Sequence, residues 1–300
     1  MENLCCFVNS RGILKSCDFH SNTPKSSCND DKDYLLEMLN TMFDGMSIYV
    51  CSDLLKFFVT DILRKINKQF VLVSGDSDLC VPKEALNSRE FETLINYPYL
   101  IKWFLQNTQI QNNSKMVQMP IGLDYHTISN SQDHAWKLPN ESHLPGAQEL
   151  ILVDIKEKSQ PFYDRIPKIY VNFSKTNDRF KDRVNSINGI PNKLMIFNET
   201  FTKRTINWNL MSKYAFVLSP FGNGMDCHRT WEALCLGCIP IVCAPNFTKL
   251  FENLPVLNVN DWKEVTEELL MATVVKLKTL TFNLDKLLLS NWVNQLKNTK

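Results

Sequence analysis

The sequence lacks an excess of charge, a long hydrophobic run, repeats and low-complexity tracts. Its 33 Lys and Arg residues against 32 Asp and Glu residues leave a net charge of +1, so no strong field draws the chain to nucleic acid or anionic lipid. Nowhere do 18 apolar residues follow one another, and no apolar signal-peptide core occurs in MENLCCFVNSRGILKSCDFH. We therefore predict a cytoplasmic enzyme with no nucleic-acid partner and no membrane span.

What the chain does contain is a regular alternation of short apolar runs with helical stretches. Strands are predicted at 47–50, 70–73, 115–119, 168–173, 194–197, 214–219, 239–242 and 255–259. Helices are predicted at 34–43, 52–67, 89–106, 147–158, 226–236, 261–278 and 285–297. Strands alternating with helices are typical of parallel sheets, and 300 residues suit two domains. The predicted fold class is α/β: two Rossmann-like domains that face each other across a cleft, with ligand at the carboxyl ends of the strands.

The most informative segment is YAFVLSPFGNGMDCHRTWEALCLGCIPIVC, which begins at Tyr214 and ends at Cys243. A strand is followed by a loop with Gly222 and Gly224, then by a helix that Asp226 could cap and that Gly237 could end. A glycine loop that opens into a helix N-terminus is a typical anion site. The alternative is an ordinary strand–helix–strand crossover whose glycines only make the turn.

Arg229 and Glu232 are three residues apart on this helix and share one face. A nucleotide diphosphate needs a cation beside its phosphates. It also needs a carboxylate that can accept hydrogen bonds from its ribose hydroxyls, and Arg229 and Glu232 could supply these two groups. The predicted donor-binding residues of the segment are Ser219, Pro220, Phe221, Gly222, Asn223, Gly224, Met225, Asp226, Arg229 and Glu232.

A second group of candidates follows the strand at 168–173, in YVNFSKTNDRFKDR. Asn172 and Ser174 lie at the predicted strand end. Arg179 and Arg183, four residues apart, would point the same way on a helix and could clamp a diphosphate. The alternative for the two arginines is a solvated helix face.

The cysteines include a C-x-x-C pair, Cys235 and Cys238, with His228 nearby. A zinc or redox site is one interpretation. Cys227 and Cys238, however, fall on the apolar side of the predicted helix and Cys243 ends the following apolar strand, where free cysteine packs as a small hydrophobe. We predict reduced, structural thiols and no metal.

The segment SPFGNGMDCHRTWEALCLGCIPIV closely resembles the C-terminal motif of the exostosin-like glycosyltransferases of family 47. That motif pairs a Gly-x-Gly loop with a downstream Arg, Trp-Glu-Ala-Leu and Gly-x-Ile-Pro-Ile-Val. Weaker similarity runs from about 70 to 259 and includes the segments 70–82, 99–107 and 119–127. The resemblance implies a GT-B fold whose last helix crosses back to the N-terminal domain, an arginine in the Arg183 stretch, and inverting transfer from a nucleotide sugar, usually a UDP-sugar.

With this fold we place an N-terminal, acceptor-side domain at 1–163, a C-terminal nucleotide-sugar domain at 164–282, and the returning helix within 283–300. The acceptor is a glycan, a protein or a small molecule, and no cofactor is expected. Arg229 would neutralise the leaving diphosphate, the loop 221–225 would hold it, and Glu232 would hold the ribose.

The base that deprotonates the acceptor should come from the first domain and remain unprotonated near neutral pH. The candidates are Asp124 and His126, in PIGLDYHT, and Asp76 and Asp78, which follow an apolar strand. Asp76 and Asp78 also form an Asp-x-Asp pair, the motif with which metal-dependent GT-A transferases hold Mn²⁺ or Mg²⁺. Because the glycine loop and Arg229 already supply positive potential, we expect a metal-independent transferase. The two alternatives are a GT-A-type enzyme built on this pair and a nucleotide-sugar-binding protein without activity.

Overall fold

The computed structural model describes residues 1–110, 112–198 and 200–299. The first sheet has four parallel strands, and each strand pairs with the next along the chain. Its strands are β1 (Met46–Cys51), β2 (Phe70–Gly75), β3 (Leu100–Leu105) and β4 (Met116–Gln118). The helices of this half are α1 (Ser10–Leu14), α2 (Asp33–Thr41), α3 (Leu55–Phe57), α4 (Ser88–Ile95), α5 (His126–Ser129) and α6 (Pro145–Lys158).

Both faces of the first sheet are buried, which explains why its strands form continuous apolar runs rather than alternating ones. Val71 and Val73 belong to the larger core, which continues into the second half of the chain. Phe70 and Leu72 point to the other face and pack with Phe58 and its neighbours in a separate cluster. The stretch predicted as one helix at 52–67 is irregular: α3 is flanked by 3-10 turns and a π-helical turn.

The prediction of a helix over 89–106 is wrong. Asn87 and Glu90 form a capping box that starts α4, but the helix ends at Ile95 and β3 occupies the rest. Pro98 disfavours helical backbone in the residue before it. The apolar run LIKWFL then pairs with β2 and β4 in the sheet interior, an environment that periodicity alone cannot distinguish from a buried helix.

The second sheet has five parallel strands in the order β6–β5–β7–β8–β9. The strands are β5 (Ile166–Val171), β6 (Met195–Phe197), β7 (Tyr214–Leu218), β8 (Ile239–Val242) and β9 (Leu257–Asn258). The helices are α7 (Asp182–Gly189), α8 (Arg204–Met211), α9 (His228–Cys235), α10 (Thr248–Phe251), α11 (Glu267–Lys278) and α12 (Leu289–Asn298). The strand order reverses between β5 and β7, and ligands of such sheets bind at this switch point.

The C-terminal segment returns to the first half of the chain. Val8 donates its backbone N–H to the carbonyl of Leu287 (2.8 Å), and Leu289 donates to the carbonyl of Cys6 (2.8 Å). With the cavity described below, this confirms the predicted α/β architecture of two parallel-sheet domains facing each other across a cleft. Among the residues described, no helix combines the length and apolar character that a bilayer crossing needs.

Candidate functional site

A cavity of about 880 Å³ lies between the two sheets, at the carboxyl ends of their strands. In the described part of the chain, eleven of the predicted site residues line its wall: Asp78, Asp124, Asn172, Ser174, Arg183, Gly222, Asn223, Gly224, Asp226, Arg229 and Glu232. The other predicted residues lie outside the wall: Asp76, His126, Arg179, Ser219, Pro220, Phe221 and Met225. Residues that follow β2, β4, β5, β6 and β7 thus all line this cavity.

The glycine loop after β7 approaches its neighbours so closely that a side chain at either glycine would have to shift them. A Cβ atom on Gly222 would lie 2.6 Å from Nη2 of Arg183, and one on Gly224 would lie 3.2 Å from Oδ1 of Asp78. The first glycine thus lets Arg183 lie against the loop, and the second lets the first domain approach it. The loop bends back on itself through a hydrogen bond from Gly222 N to Gly224 O (3.0 Å).

Two guanidinium groups meet at this loop. The Cζ atoms of Arg183 and Arg229 lie 5.5 and 5.3 Å from the ring centroid of Phe173, the residue after Asn172. Arg183 is buried and donates Nη1–H to the carbonyl of Ser174 (2.7 Å), while its buried Nε has no partner. Burial lowers the pKa of Arg229, and the charge of Arg183 lowers it further. Two adjacent cations, one with an unpartnered donor, form a site suited to an anion.

Arg229 is oriented by two side-chain amides, the predicted Asn172 and a second residue, Asn207, that was not predicted from sequence. Its Nε–H donates to Oδ1 of Asn172 (3.1 Å), and the amide of Asn172 donates in turn to Oδ1 of Asn207. Asn207, on α8, also accepts from the hydroxyl of Tyr170 (2.8 Å) and lines the cavity. A polar residue on an amphipathic helix gives no sequence signal of this role.

The prediction that Arg179 and Arg183 lie on one helix and point the same way is wrong. Lys181 has left-handed backbone (φ 56°) and α7 begins only at Asp182, so Arg179 lies in the preceding turn. Arg179 forms an ion pair with Glu84 of the first domain. Only Arg183 reaches the cavity wall.

Four residues of this loop segment lie outside the cavity wall and make contacts that hold the loop in place: Ser219, Pro220, Phe221 and Met225. The hydroxyl of Ser219 bonds to that of Thr230 (2.8 Å), and the N–H of Phe221 donates to Asp182 (2.8 Å). Pro220 accepts a weak bond from the thiol of Cys227 at its carbonyl (3.5 Å). Met225 is buried against the first domain, where its sulfur accepts from Nε2 of Gln109 at 3.3 Å.

Asp226 does not cap α9, which begins at His228 without a side-chain cap. Its buried carboxylate instead accepts from the backbone N–H of Ile121 (2.7 Å), across the domain boundary, and from Nε1 of Trp231 (2.9 Å). Burial raises the pKa of Asp226 to about 6. The predicted left-handed end of the helix at Gly237 is confirmed (φ 74°).

The first-domain carboxylates differ sharply in their surroundings. Asp78 lines the cavity, and burial raises its pKa. Asp124 lies 3.3 Å from Nη2 of Arg204 and accepts from the N–H of Thr127 (3.0 Å). Burial acts to raise the pKa of Asp124, but the neighbouring cationic groups hold it well below its usual range. Asp78 is therefore the more basic of the two.

The two histidines of the site have different positions. Nδ1 of His126 lies 3.1 Å from Oδ1 of Asp124 without hydrogen-bond geometry, and burial lowers the pKa of His126. His228, the first residue of α9, lines the cavity, and its Nδ1 lies 2.7 Å from the carbonyl oxygen of Gly122. Because a carbonyl only accepts, Nδ1 of His228 carries the proton. From the sequence, no role is predicted for His228 beyond its place near the cysteines.

Asp76 and Asp78 do not face the same space. Asp76 has left-handed backbone (φ 57°), and its buried carboxylate forms an ion pair with Arg11 (2.9 Å) and accepts from the hydroxyl of Ser26 (2.8 Å). Both oxygens of Asp76 are thus engaged away from the cavity that Asp78 lines.

Cys235 and Cys238 are both buried and unpaired. The sulfur of Cys238 accepts from Nη1 of Arg165 (3.1 Å), and burial raises its pKa to about 11. Within the described ranges, no three His, Cys, Asp or Glu residues are arranged to hold a metal ion. A thiol of raised pKa is a poor thiolate ligand, which agrees with structural packing for this pair.

No protein-family model and no curated protein sequence matches the chain. Among solved structures it is similar to a trehalose-6-phosphate protein from E. coli bound with UDP-2-fluoro glucose, at 9% identity and a TM-score of 0.36 over 89% of this chain and 73% of that one. It is also similar to an α,α-trehalose-phosphate synthase (UDP-forming) from Burkholderia xenovorans in complex with glucose-6-phosphate, at 8% identity and a TM-score of 0.36 over 89% and 74%. The N-terminal domain of a Candida albicans trehalose-6-phosphate phosphatase gives 13% identity and a TM-score of 0.38 over 89% and 69%. At these sequence identities and TM-scores, the similarity gives no information on the substrate or the site residues of this chain.

Proposed function

We propose that the protein is a glycosyltransferase that moves a sugar from a UDP-sugar to an acceptor hydroxyl, with inversion and without a metal ion. The observation that carries this proposal is the pair of guanidinium groups, Arg183 and Arg229, beside the glycine loop in an interdomain cavity. The site lies at the switch point of the second sheet, the usual ligand position in such folds. The exostosin-like motif quoted above supports the same assignment.

The donor would bind mainly to the second domain. Arg183 and Arg229 would hold the diphosphate, with the backbone amides of the loop at Gly222–Gly224 and the N-terminus of α9 adding partial positive charge. Glu232 also lines the cavity, one turn further along α9, and would accept from the ribose hydroxyls. Asn172 keeps the guanidinium of Arg229 in place before the ligand arrives, which limits the reorganisation that binding requires.

Transfer requires a base on the opposite side of the cavity. We assign this role to Asp78, because it lines the cavity from the first domain and its raised pKa makes it more basic than Asp124. The acceptor oxygen would attack the anomeric carbon and lose its proton to Asp78. The bond from that carbon to the diphosphate oxygen breaks, and its electron pair leaves with UDP. Arg229 would stabilise the charge that develops on that oxygen.

The metal-dependent alternative needs Asp76 and Asp78 to act together. Asp76 is already bound by Arg11 and Ser26, so a metal at this pair would first have to break a buried ion pair. The two arginines supply the positive charge that a metal would otherwise provide. The inactive alternative is disfavoured by the presence of a candidate base in the same cavity as the donor site.

The test is UDP release from a panel of UDP-sugars, measured with the full chain in EDTA and again with added Mn²⁺. We expect turnover of at least one UDP-sugar in EDTA, either by transfer or by slow hydrolysis, and a product whose anomeric configuration is inverted by NMR. Activity only with Mn²⁺ would favour the metal-dependent alternative. Tight UDP binding without any turnover would favour the inactive one.

A further inference from the structure

Trp136 is a large aromatic residue at the cavity wall that the donor site does not use. It belongs to the loop before α6 in the first domain, and 39% of its surface is exposed. An indole left partly in solvent beside a cavity contributes little to a core, which makes it a candidate ligand contact.

The position of this indole is fixed from several sides. The backbone carbonyl of Trp136 accepts from the backbone N–H of Arg204 (2.7 Å), and the ring of His134 packs edge-on against the indole, with the ring centroids 5.1 Å apart. The guanidinium of Arg204 lies over the ring, with Cζ 5.2 Å from the centroid. Arg204 itself is buried and donates to Gln148 (2.8 Å) and to the carbonyl of Asp124. Trp136 is therefore a preorganised surface rather than a mobile side chain.

A second exposed aromatic lines the same cavity from the other domain. Phe201 precedes α8 and is 66% exposed. The carboxylate of Asp124 lies in the wall as well; Oδ2 contacts Arg204 and Oδ1 accepts from the N–H of Thr127, and each oxygen has a second lone pair that can accept a hydrogen bond. Aromatic rings and a carboxylate in the wall of one cavity suit a pyranose ring, which has a C–H face of slightly positive character and a rim of hydroxyl donors.

We propose that Trp136 and Phe201 form the acceptor subsite and bind a pyranose ring of a saccharide acceptor; this rests on the glycosyltransferase function proposed above. The donor contacts Arg183, Arg229 and Asn172 all belong to the second domain. Trp136 belongs to the first domain, on the side of the candidate base, so the substrate at this ring is the one that supplies the hydroxyl. Phe201 belongs to the second domain and would contact the same substrate from the other side of the cavity. The acceptor is then a carbohydrate and not a serine or threonine of a peptide.

The experiment measures saccharide binding and UDP binding separately on the full chain. Methyl pyranosides and disaccharides of glucose, galactose, mannose, xylose and N-acetylglucosamine are titrated in the presence of UDP and followed by ligand-observed NMR, and UDP alone is titrated by calorimetry. The variants are Trp136→Leu, Trp136→Phe and Phe201→Leu, and the matched control is Phe43→Leu. Phe43 is a 47% exposed aromatic of the first domain outside the cavity wall.

We expect at least one saccharide to bind the wild type. Trp136→Leu should weaken that binding about tenfold, the size of one lost aromatic contact. Trp136→Phe should retain part of the saccharide affinity, and Phe201→Leu should weaken saccharide binding without lowering the melting temperature. Phe43→Leu should leave saccharide affinity unchanged. UDP affinity should be the same in all five proteins.

Three results would overturn the subsite. A loss of UDP affinity in Trp136→Leu would mean that the indole contacts the donor. Failure of every saccharide to bind the wild type, or transfer to a serine- or threonine-containing peptide, would exclude a carbohydrate acceptor. Failure of the glycosyltransferase proposal itself is recognised independently, because a chain without a donor site would not bind UDP in the calorimeter at all.

Discussion

Arg183 and Arg229 come from different helices, α7 and α9, yet both place a guanidinium within 5.5 Å of the centroid of the same ring, that of Phe173. Neither arginine has a carboxylate partner in an ion pair among the described residues. The charge of Arg183 lowers the pKa of Arg229 although Glu232 acts in the opposite direction, so an anion that binds both arginines gains the charge-assisted contacts and relieves their repulsion. This relationship is the basis of the donor-site assignment.

The first prediction concerns the space at Gly222. Gly222→Ala would place a Cβ atom 2.6 Å from Nη2 of Arg183, so the guanidinium has to move away from the loop. We expect UDP affinity to fall about tenfold or more, since one charge-assisted contact contributes about 1.5 to 3 kcal/mol. Calorimetric titration of UDP measures this. The matched control is Gly146→Ala, where a Cβ atom meets nothing within 4 Å. Equal losses of UDP affinity in both variants would show that the close approach of Arg183 to Gly222 has no role in donor binding.

The second prediction concerns Asp78 as the base. Because burial raises its pKa and a base must be ionised to accept a proton, turnover should fall as pH decreases through the pKa of Asp78. Asp78→Asn should lower turnover by about 10² to 10⁴ and remove this acid limb from the pH–rate profile, while UDP affinity changes little. An acid limb that persists in Asp78→Asn would assign the base to another group.

The third prediction concerns stability and Asp226. Burial raises the pKa of Asp226 from 3.8 to about 6 in the folded state, so the folded protein binds this proton more tightly than the unfolded chain does. The contribution of Asp226 to the free energy of unfolding is therefore highest below pH 4, falls as pH rises to about 6, and is constant above that. The pKa difference corresponds to roughly 3 kcal/mol.

Chemical denaturation of the wild type and Asp226→Asn between pH 4 and 7.5 tests this claim. The stability of the wild type minus that of the variant should decrease across this range, because the amide does not ionise. A difference that is independent of pH would show that Asp226 titrates alike in both states.

Much of the architecture could be predicted from sequence because parallel strands buried on both faces form continuous apolar runs. The segment from Tyr214 to Cys243 has the predicted order of strand, glycine loop, helix, glycine stop and strand, although the helix begins at His228 and Asp226 does not cap it. The prediction failed at 89–106, where the same apolar run is compatible with a helix or a central strand and only pairing with β2 and β4 decides.

The candidate site was predictable where its residues lie within one motif and not where the fold brings distant residues together. Asp76 and Asp78 are close in sequence, but the left-handed backbone of Asp76 directs its carboxylate to Arg11. Asn207 and Trp136 reach the cavity from an ordinary helix and an aperiodic loop. Their positions depend on packing between the domains, which local sequence does not encode.

The most direct test of the account is the affinity of Arg229→Ala for UDP. Arg229 is oriented by Asn172 at the cavity wall, so its removal should weaken UDP binding, lower turnover by about 10² to 10³ and leave the melting temperature little changed. Arg229→Lys should restore only part of the UDP affinity and turnover, because an ammonium cannot reproduce the bidentate contact. The matched control is Arg64→Ala, at an exposed arginine, which should behave as the wild type. If Arg229→Ala binds UDP as tightly as the wild type in calorimetry, α9 does not hold the donor and the assignment of the donor site to Arg183 and Arg229 is wrong.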